Sequence, residues 1–205
     1  MMILVGQLDS PFVRRVAATL SHYELAFDRH VLSVFGDRDE VMRLNPLGKV
    51  PALIIEDGET LVDSAVIIDH LDQVAPPELC LTPKSGAARR QVLRLATIAM
   101  GISERAVQFR IETVRRPQHL QSEEFVDTYR RSIRDSLDFL ERHVAAPWAN
   151  GDRLSQADFS ITAALTHLSG KIDEFSDLQA WPQLAEIRTA GEELSAFKVN
   201  PFMEG

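Results

Sequence analysis

The stretch "NPLGKVPALIIEDGETLVDSAVI", Asn45 to Ile67, decides how the chain is read. Val50–Ile55 and Glu59–Val62 are apolar runs, and Asp57-Gly58 between them is a strong turn signal, so the pair reads as a β-hairpin. Pro51 is badly placed at the start of such a strand, because proline cannot donate a ladder hydrogen bond. Two readings are open. A cis Val50–Pro51 peptide at a sheet edge leaves the Val50 backbone free to pair with an extended ligand, as an added strand would. A trans proline makes a plain loop-to-strand turn. At the other end, "DSAVIIDHLDQV" reads as a helix with Ile67, Ile68, Leu71 and Val74 on one face. Ser64 is a natural N-cap. The N–H groups and dipole of that terminus suit an anion, and the Asp63 carboxylate suits an ammonium group. The pair matches an α-amino acid end chemically; taken alone it is also an ordinary cap with an acidic neighbour.

Toward the N-terminus, residues 2–7 read as a short buried strand. "DSPFVRR", Asp9 to Arg15, follows, with Ser10 as N-cap and Pro11 at the first helical position. Phe12, Val13, Val16, Ala17 and Leu20 fall at helical spacing, with Arg14 and Arg15 on or beside the opposite face. "LAFDRHVL", Leu25 to Leu32, reads as a second strand. Strand, helix and strand with tight connections make a βαβ unit, so these two strands are expected to be parallel. A helix from about Asp37 to Leu44 leads into the hairpin.

Toward the C-terminus, "APPELCLTPKSG", Ala75 to Gly86, carries three prolines and reads as a linker. Beyond it the strand signals stop. Residues 86–116 read as a long helix with more than one apolar stripe. Phe125, Tyr129, Ile133, Leu137, Leu140 and Val144 mark a clean amphipathic helix. "LSQADFSITAALTHL" opens with a capping-box variant, Ser155 and Asp158, flanked by Leu154 and Phe159 as a staple. Its helix is apolar nearly all round, as in the centre of a bundle. A last helix follows Trp181-Pro182.

The bulk composition narrows the function. The 205 residues fit one large domain or two small ones. A net charge of −8 argues against a nucleic-acid partner, yet leaves room for local cations that hold a small anion. Cys80 is the single cysteine, so no intrachain disulfide forms, which suits a reducing compartment such as the cytoplasm. No apolar run nears the roughly 18 residues needed to span a bilayer, and the N-terminus lacks the basic region of a signal peptide. The six histidines are scattered, so no metal site is assigned.

In combination, "DSPFVRR", "NPLGKVPAL", the hairpin, "VDSAVI" and the "SQAD" cap resemble the glutathione transferase superfamily across essentially the whole chain. The resemblance implies an α/β thioredoxin-like N-terminal domain, residues 1–75, a linker, 76–86, and an all-α C-terminal domain, 87–205. It also implies a cytoplasmic homodimer with glutathione as co-substrate, and detoxification as the role. Carried onto this sequence, it makes Val50, before cis-Pro51, the backbone partner of the cysteinyl part of glutathione. Asp63 and Ser64 hold the γ-glutamyl end, and Lys49 or Arg38 supplies a cation for the glycyl carboxylate. Ser10 falls where serine-type classes put the residue facing the thiol. An electrophile pocket would draw on Phe12, Met100, Ser103, Arg105, Gln108 and Phe109, positions that ordinary packing or exposure explains equally well.

The implied chemistry needs a thiolate, because the thiol is a poor nucleophile. A free thiol has a pKa of about 8.5, and each unit of lowering needs about 1.4 kcal/mol of preferential anion stabilisation. A charge-assisted hydrogen bond from a hydroxyl contributes on that order. Ser10 is thus a donor to the sulfur and not a base. No cysteine lies near Ser10, which counts against classes that form a mixed disulfide there. Asp9 would raise the pKa of a nearby thiolate, so its side chain is expected to point away. A hydrophobic electrophile is the expected second substrate. A glutathione-dependent disulfide or peroxide reductase and a non-catalytic binding protein on the same fold are the alternatives.

Overall fold

Four short strands form one sheet, ordered β2-β1-β3-β4, in the computed structural model, which describes residues 1–151 and 153–203. They are β1 (Met2–Val5), β2 (Phe27–His30), β3 (Ala52–Ile54) and β4 (Thr60–Val62). Helix α1 (Pro11–His22) joins β1 to β2, and the two strands are parallel, with Val5 opposite His30. β3 runs antiparallel to β1, pairing Val5 with Ala52, and β4 runs antiparallel to β3, pairing Ala52 with Val62. This register has a direct consequence. The C-terminal ends of β1, β2 and β4 and the N-terminal end of β3 share one edge of the sheet.

The Asp57-Gly58 turn closes the β3–β4 hairpin, with Gly58 at φ +92°, a conformation that costs glycine little. Helix α3 (Ser64–Val74) packs beside α1. On the other side, Val5, Leu32, Val41 of α2 (Arg38–Leu44) and Ala52 form a buried cluster that Leu44, Val50 and Val62 flank. The sequence puts Ser64 at the cap of α3. The structure shifts this by one residue: Asp63 is the N-cap, its carboxylate accepting from the Ala65 N–H at 2.8 Å, and Ser64 is the first helical residue.

Arg14 and Arg15 depart further from the sequence reading. Both are buried, at 1% and 4% exposure, not on a solvated face. The cover for Arg14 comes from the far end of the chain. Its Nε donates to the Asn200 carbonyl at 2.9 Å, and its guanidinium lies over the Phe197 ring. Asn200 Nδ2 in turn donates to Ser21 Oγ and to the Ala196 carbonyl, each at 2.8 Å. The segment Glu193–Met203, including α8 (Ser195–Lys198), therefore belongs to the same unit as Met1–Leu81. The sequence reading carried the helical domain through to residue 205; the structure bounds it at Thr82–Glu192.

Near the linker, the Tyr23 hydroxyl accepts from the Leu81 N–H at 3.0 Å and donates to Asp72. Burial, with Asp72 beside it, pushes the Tyr23 phenol well up, so it stays a donor. Cys80 Sγ points to the Asp72 carbonyl at 3.4 Å, a local structural contact.

The helical unit contains α4 (Gly86–Arg110), α5 (Glu123–Glu141), α6 (Gln156–Lys171) and α7 (Pro182–Glu192). The long helix expected over 86–116 ends as α4 at Arg110, and Ile111–Arg115 form a π-helical turn. There the buried Glu112 accepts from the Ser122 N–H at 2.7 Å, which satisfies the start of α5. Helix α6 is buried along most of its length and packs against α4 and α7. Its capping box forms: the Ser155 N–H donates to Asp158 Oδ2 at 2.8 Å. Gly191 permits the α6–α7 approach, since a Cβ there would lie 2.0 Å from Thr162 Oγ1. No helix among the described residues is long and apolar enough to cross a membrane.

Candidate functional site

The shared edge of the sheet gathers the candidate residues of the first unit. β1 ends at Val5 and the chain turns through Gly6 to Ser10. β3 begins just after Val50-Pro51, and β4 ends just before Asp63-Ser64. Three segments far apart in sequence thus meet because the strand directions alternate as they do.

Ser10 caps α1, its Oγ accepting from the Val13 N–H over a long 3.4 Å. Pro11 takes the first helical position and needs no partner for a missing N–H. The Ser10 hydroxyl proton meets no acceptor among the described residues, so the half-buried side chain can donate outward. Capping and donation use different parts of one hydroxyl.

The Val50–Pro51 peptide is cis. Neither the N–H nor the C=O of Val50 hydrogen-bonds another described residue. The loop before it is shaped by Asn45, which is 2% exposed. Asn45 Nδ2 donates to the Lys49 carbonyl at 2.8 Å, and its Oδ1 accepts from the Leu47 N–H at 3.0 Å. Asn45 therefore fixes the turn that presents Val50. Below it, Gly6 sits at φ +126°, and a Cβ there would lie 2.6 Å from Val13 Cγ2 and 3.0 Å from Val50 Cβ. The Gly6 N–H donates to the His30 carbonyl at 2.9 Å, and its C=O accepts from Arg29 Nη2 at 3.2 Å. Arg38 and Lys49 are both exposed on this side. A Cβ at Gly48 would lie 3.6 Å from Arg38 Nη1, which places that guanidinium against the same loop.

Asp63 holds a left-handed backbone, φ +70°, at a position that is not glycine. Such a conformation costs about 1–3 kcal/mol and clusters at functional sites. Aspartate tolerates it through its own local hydrogen bond, here to the Ala65 N–H. The N–H groups of Ser64 and Val66 have no partner among the described residues, as at any open helix start. Beneath them, Arg15 Nη2 donates to Ser64 Oγ at 2.8 Å. Burial draws the Arg15 guanidinium down to about 10, while the Asp63 carboxylate pulls it back up, so it remains cationic near neutral pH.

The remaining candidates lie on α1 and α4. Phe12 is half-buried in the first turn of α1. Met100 and Ser103 are buried on α4, and Ser103 Oγ donates to the Ala99 carbonyl at 3.4 Å, within its own helix. Arg105 is exposed and donates to Gln108 Oε1 at 2.6 Å. The guanidinium of Arg130 lies 5.9 Å over the Phe109 ring. A surface groove of about 610 Å³ runs between α4 and α5, and none of these residues lines it.

Sequence reasoning missed Gly6, Arg15, Arg29 and Asn45. Asn45 opens the quoted motif, and its Asn-Pro pair is a turn signal that pointed to it. Nothing local marks Arg15 or Arg29.

Comparison with known proteins gives the chain its relatives. Residues 4–79 match the family described as glutathione S-transferase, N-terminal domain. A protein of Escherichia coli (strain K12), named uncharacterized GST-like protein YibF, is 31% identical over 170 residues, 82% of each chain. The structure of a glutathione transferase family member from Pseudomonas fluorescens Pf-5, with bound glutathione, superposes with a TM-score of 0.86 at 31% identity, covering 98% of each chain. A glutathione S-transferase from Methylobacillus flagellatus KT, with GSH bound, superposes with a TM-score of 0.90 at 28% identity over 98% of each chain.

Proposed function

Since the chain belongs to the glutathione transferase superfamily, we propose that it binds glutathione at the shared sheet edge and adds its thiolate to a hydrophobic electrophile. The observation that carries the reading is the Val50 backbone, unpaired among the described residues, at the same sheet edge as the N-termini of α1 and α3. The cysteinyl backbone of glutathione would pair with Val50 as a short added strand. Its γ-glutamyl α-carboxylate would take the Ser64 N–H and hydroxyl, and its ammonium the Asp63 carboxylate. Lys49 and Arg38 would meet the glycyl carboxylate. This arrangement points the thiol toward the start of α1.

There Ser10 would donate its hydrogen to the sulfur. A charge-assisted hydrogen bond and the α1 N-terminus, at about 0.3–1 kcal/mol, each favour the thiolate over the thiol. The thiol gives its proton to solvent, and the thiolate then attacks the electrophile, forming the carbon–sulfur bond as the leaving group departs with its electron pair. Phe12, half-buried in the first turn of α1 beside Ser10, is the proposed electrophile contact. We assign the protein a detoxifying role as a cytoplasmic homodimer.

The test compares wild type with Ser10→Ala, using an aryl halide and following the ultraviolet absorbance of the bound thiolate against pH. The variant is expected to conjugate roughly 10-fold or more slowly, with glutathione affinity nearly unchanged and the bound thiol titrating at higher pH. Conjugation at the wild-type rate would remove Ser10 from the reaction. Turnover of a glutathionyl disulfide with none of the aryl halide would turn the reading to a reductase.

A further inference from the structure

We propose that Arg29 is a specificity-determining residue of the transfer reaction: its guanidinium, at the β2 end of the shared sheet edge, selects electrophiles that carry a carboxylate. The inference rests on the glutathione reading above. It begins from a half-buried cation that pairs with no carboxylate among the described residues.

Strand order gives the direction. Across the shared edge the strands run β4, β3, β1, β2. The glutathione reading uses the first three: the γ-glutamyl end at Asp63-Ser64 after β4, the cysteinyl backbone at Val50 before β3, and the thiol at Ser10 after β1. A group bonded to the sulfur and directed onward across the edge therefore meets the end of β2. Arg29 stands there, next to the last residue of that strand and opposite Leu4 of β1. Val5 and Ala52 pack toward α2, so alternation puts Leu4, Leu53 and Arg29 on the other face of the sheet, the face of α1. Arg29 Nη2 donates to the Gly6 carbonyl at 3.2 Å, so the guanidinium lies against the start of the β1–α1 connection. The Ser10 N–H donates to the Gln7 carbonyl at 3.1 Å. That turn keeps the Ser10 Cα within about 11 Å of the Gly6 Cα. A para-substituted benzyl group on the sulfur has the reach to cross such a gap.

Charge names the group that Arg29 would meet. Taking a guanidinium out of water is costly unless an anion compensates. Arg29 Nε is buried with no acceptor among the described residues. Burial draws the guanidinium below its ordinary value, and no described carboxylate pulls it back up. Nη1 is neither enclosed nor bonded among the described residues, which leaves one side of the planar fork for a ligand. A carboxylate matches that fork in charge and in geometry. Holding the Gly6 carbonyl needs one donor and no charge, so an uncharged amide would serve that purpose. The positive charge gives preference for an anion on the group bonded to sulfur.

Calorimetric titration of wild type, Arg29→Gln and Arg29→Lys tests this with three ligands: glutathione, S-(4-carboxybenzyl)glutathione and S-(4-carbamoylbenzyl)glutathione. The two conjugates stand in for reaction products that differ only in charge at the far end of the ring. Wild type should bind the carboxylate conjugate about 10-fold more tightly than the amide. Arg29→Gln keeps a donor for Gly6 and loses the charge. It should weaken the carboxylate conjugate about 10-fold, and the amide and glutathione about 2-fold or less, so the preference collapses. Arg29→Lys should keep part of the preference, because the charge returns without the planar fork. Equal loss for all three ligands would mean that Arg29 only supports the loop and would overturn the proposal. Equal affinity of wild type for the two conjugates would overturn it too, as would wild type that takes glutathione and neither conjugate. If Arg29→Gln does not fold, Arg29→Lys decides: a reduced carboxylate preference at unchanged glutathione affinity supports the proposal, and an unchanged preference overturns it. Wild type that binds none of the three would instead overturn the glutathione reading itself.

Discussion

Replacing Gly6 by alanine tests whether the backbone beneath Val50 sets the shape of the proposed glutathione edge. Gly6 has φ +126°, and a Cβ would come within 2.6 Å of Val13 Cγ2 and 3.0 Å of Val50 Cβ. Forcing an L side chain into that conformation costs about 1–3 kcal/mol. Displacing two branched side chains in a packed site adds about 1–3 kcal/mol. The lower entropy of the unfolded alanine chain returns up to about 1 kcal/mol. The net expectation is a loss of about 1–6 kcal/mol, large against a typical domain stability of about 5–15 kcal/mol. Gly58 is the internal control. It also has a positive φ, +92°, but a Cβ there meets nothing within 4 Å. Gly58→Ala therefore isolates backbone strain from overpacking. Urea denaturation of both variants, with glutathione titration alongside, measures the difference. Gly6→Ala should be the less stable, and it alone should lose glutathione affinity, because Val50 has to move. If the two variants lose equal stability and both keep affinity, the close approach of Gly6 to Val50 is immaterial and the reasoning fails.

Asn45→Ala removes two hydrogen bonds, to Lys49 O and from Leu47 N, of 2.8 and 3.0 Å. Glutathione affinity should fall several-fold with a stability loss of about 1–3 kcal/mol, and calorimetry showing unchanged affinity would mean the loop holds its shape without Asn45. Asn200→Ala loosens α1 from the C-terminal segment by deleting the side-chain bond to Ser21, and deletes the bond to Ala196 within that segment. Chemical denaturation should register a loss of about 1–3 kcal/mol. His22 is held below its usual value of 6.5, mainly by burial, with the Leu79 carbonyl and Glu24 opposing the shift. A depressed histidine contributes stability above its unfolded pKa that is lost as pH falls through the folded value. Wild type should therefore lose more stability than His22→Gln between about pH 7.5 and about pH 5.5, by well under about 1 kcal/mol because the ring is part-exposed.

Most elements were legible because local signals agreed. Asp57-Gly58 marks the hairpin, Ser10-Pro11 the start of α1, and Ser155 with Asp158 the start of α6, each through bonds that close within a few residues. The cap of α3 was misplaced by one position, since Asp and Ser are both good caps and only the backbone angle at Asp63 separates them. The end of α4 was misplaced because a π-helical turn keeps helical spacing while changing the hydrogen-bond partners.

By itself the sequence determined the order of strands and helices, the helix start at Ser10, that of α3 to within one residue, and the proline that marks Val50. Those follow from residue types acting on neighbours. Tertiary structure decided what lies beneath them. Arg14 is buried by Phe197 and Asn200, and Arg15 by its contact with Ser64, partners up to 186 residues away. Helical spacing assigns faces only relative to one core, and α1 is covered on more than one side. Which side chains stand under the shared sheet edge is a property of how distant segments close over that helix, and no local pattern carries it.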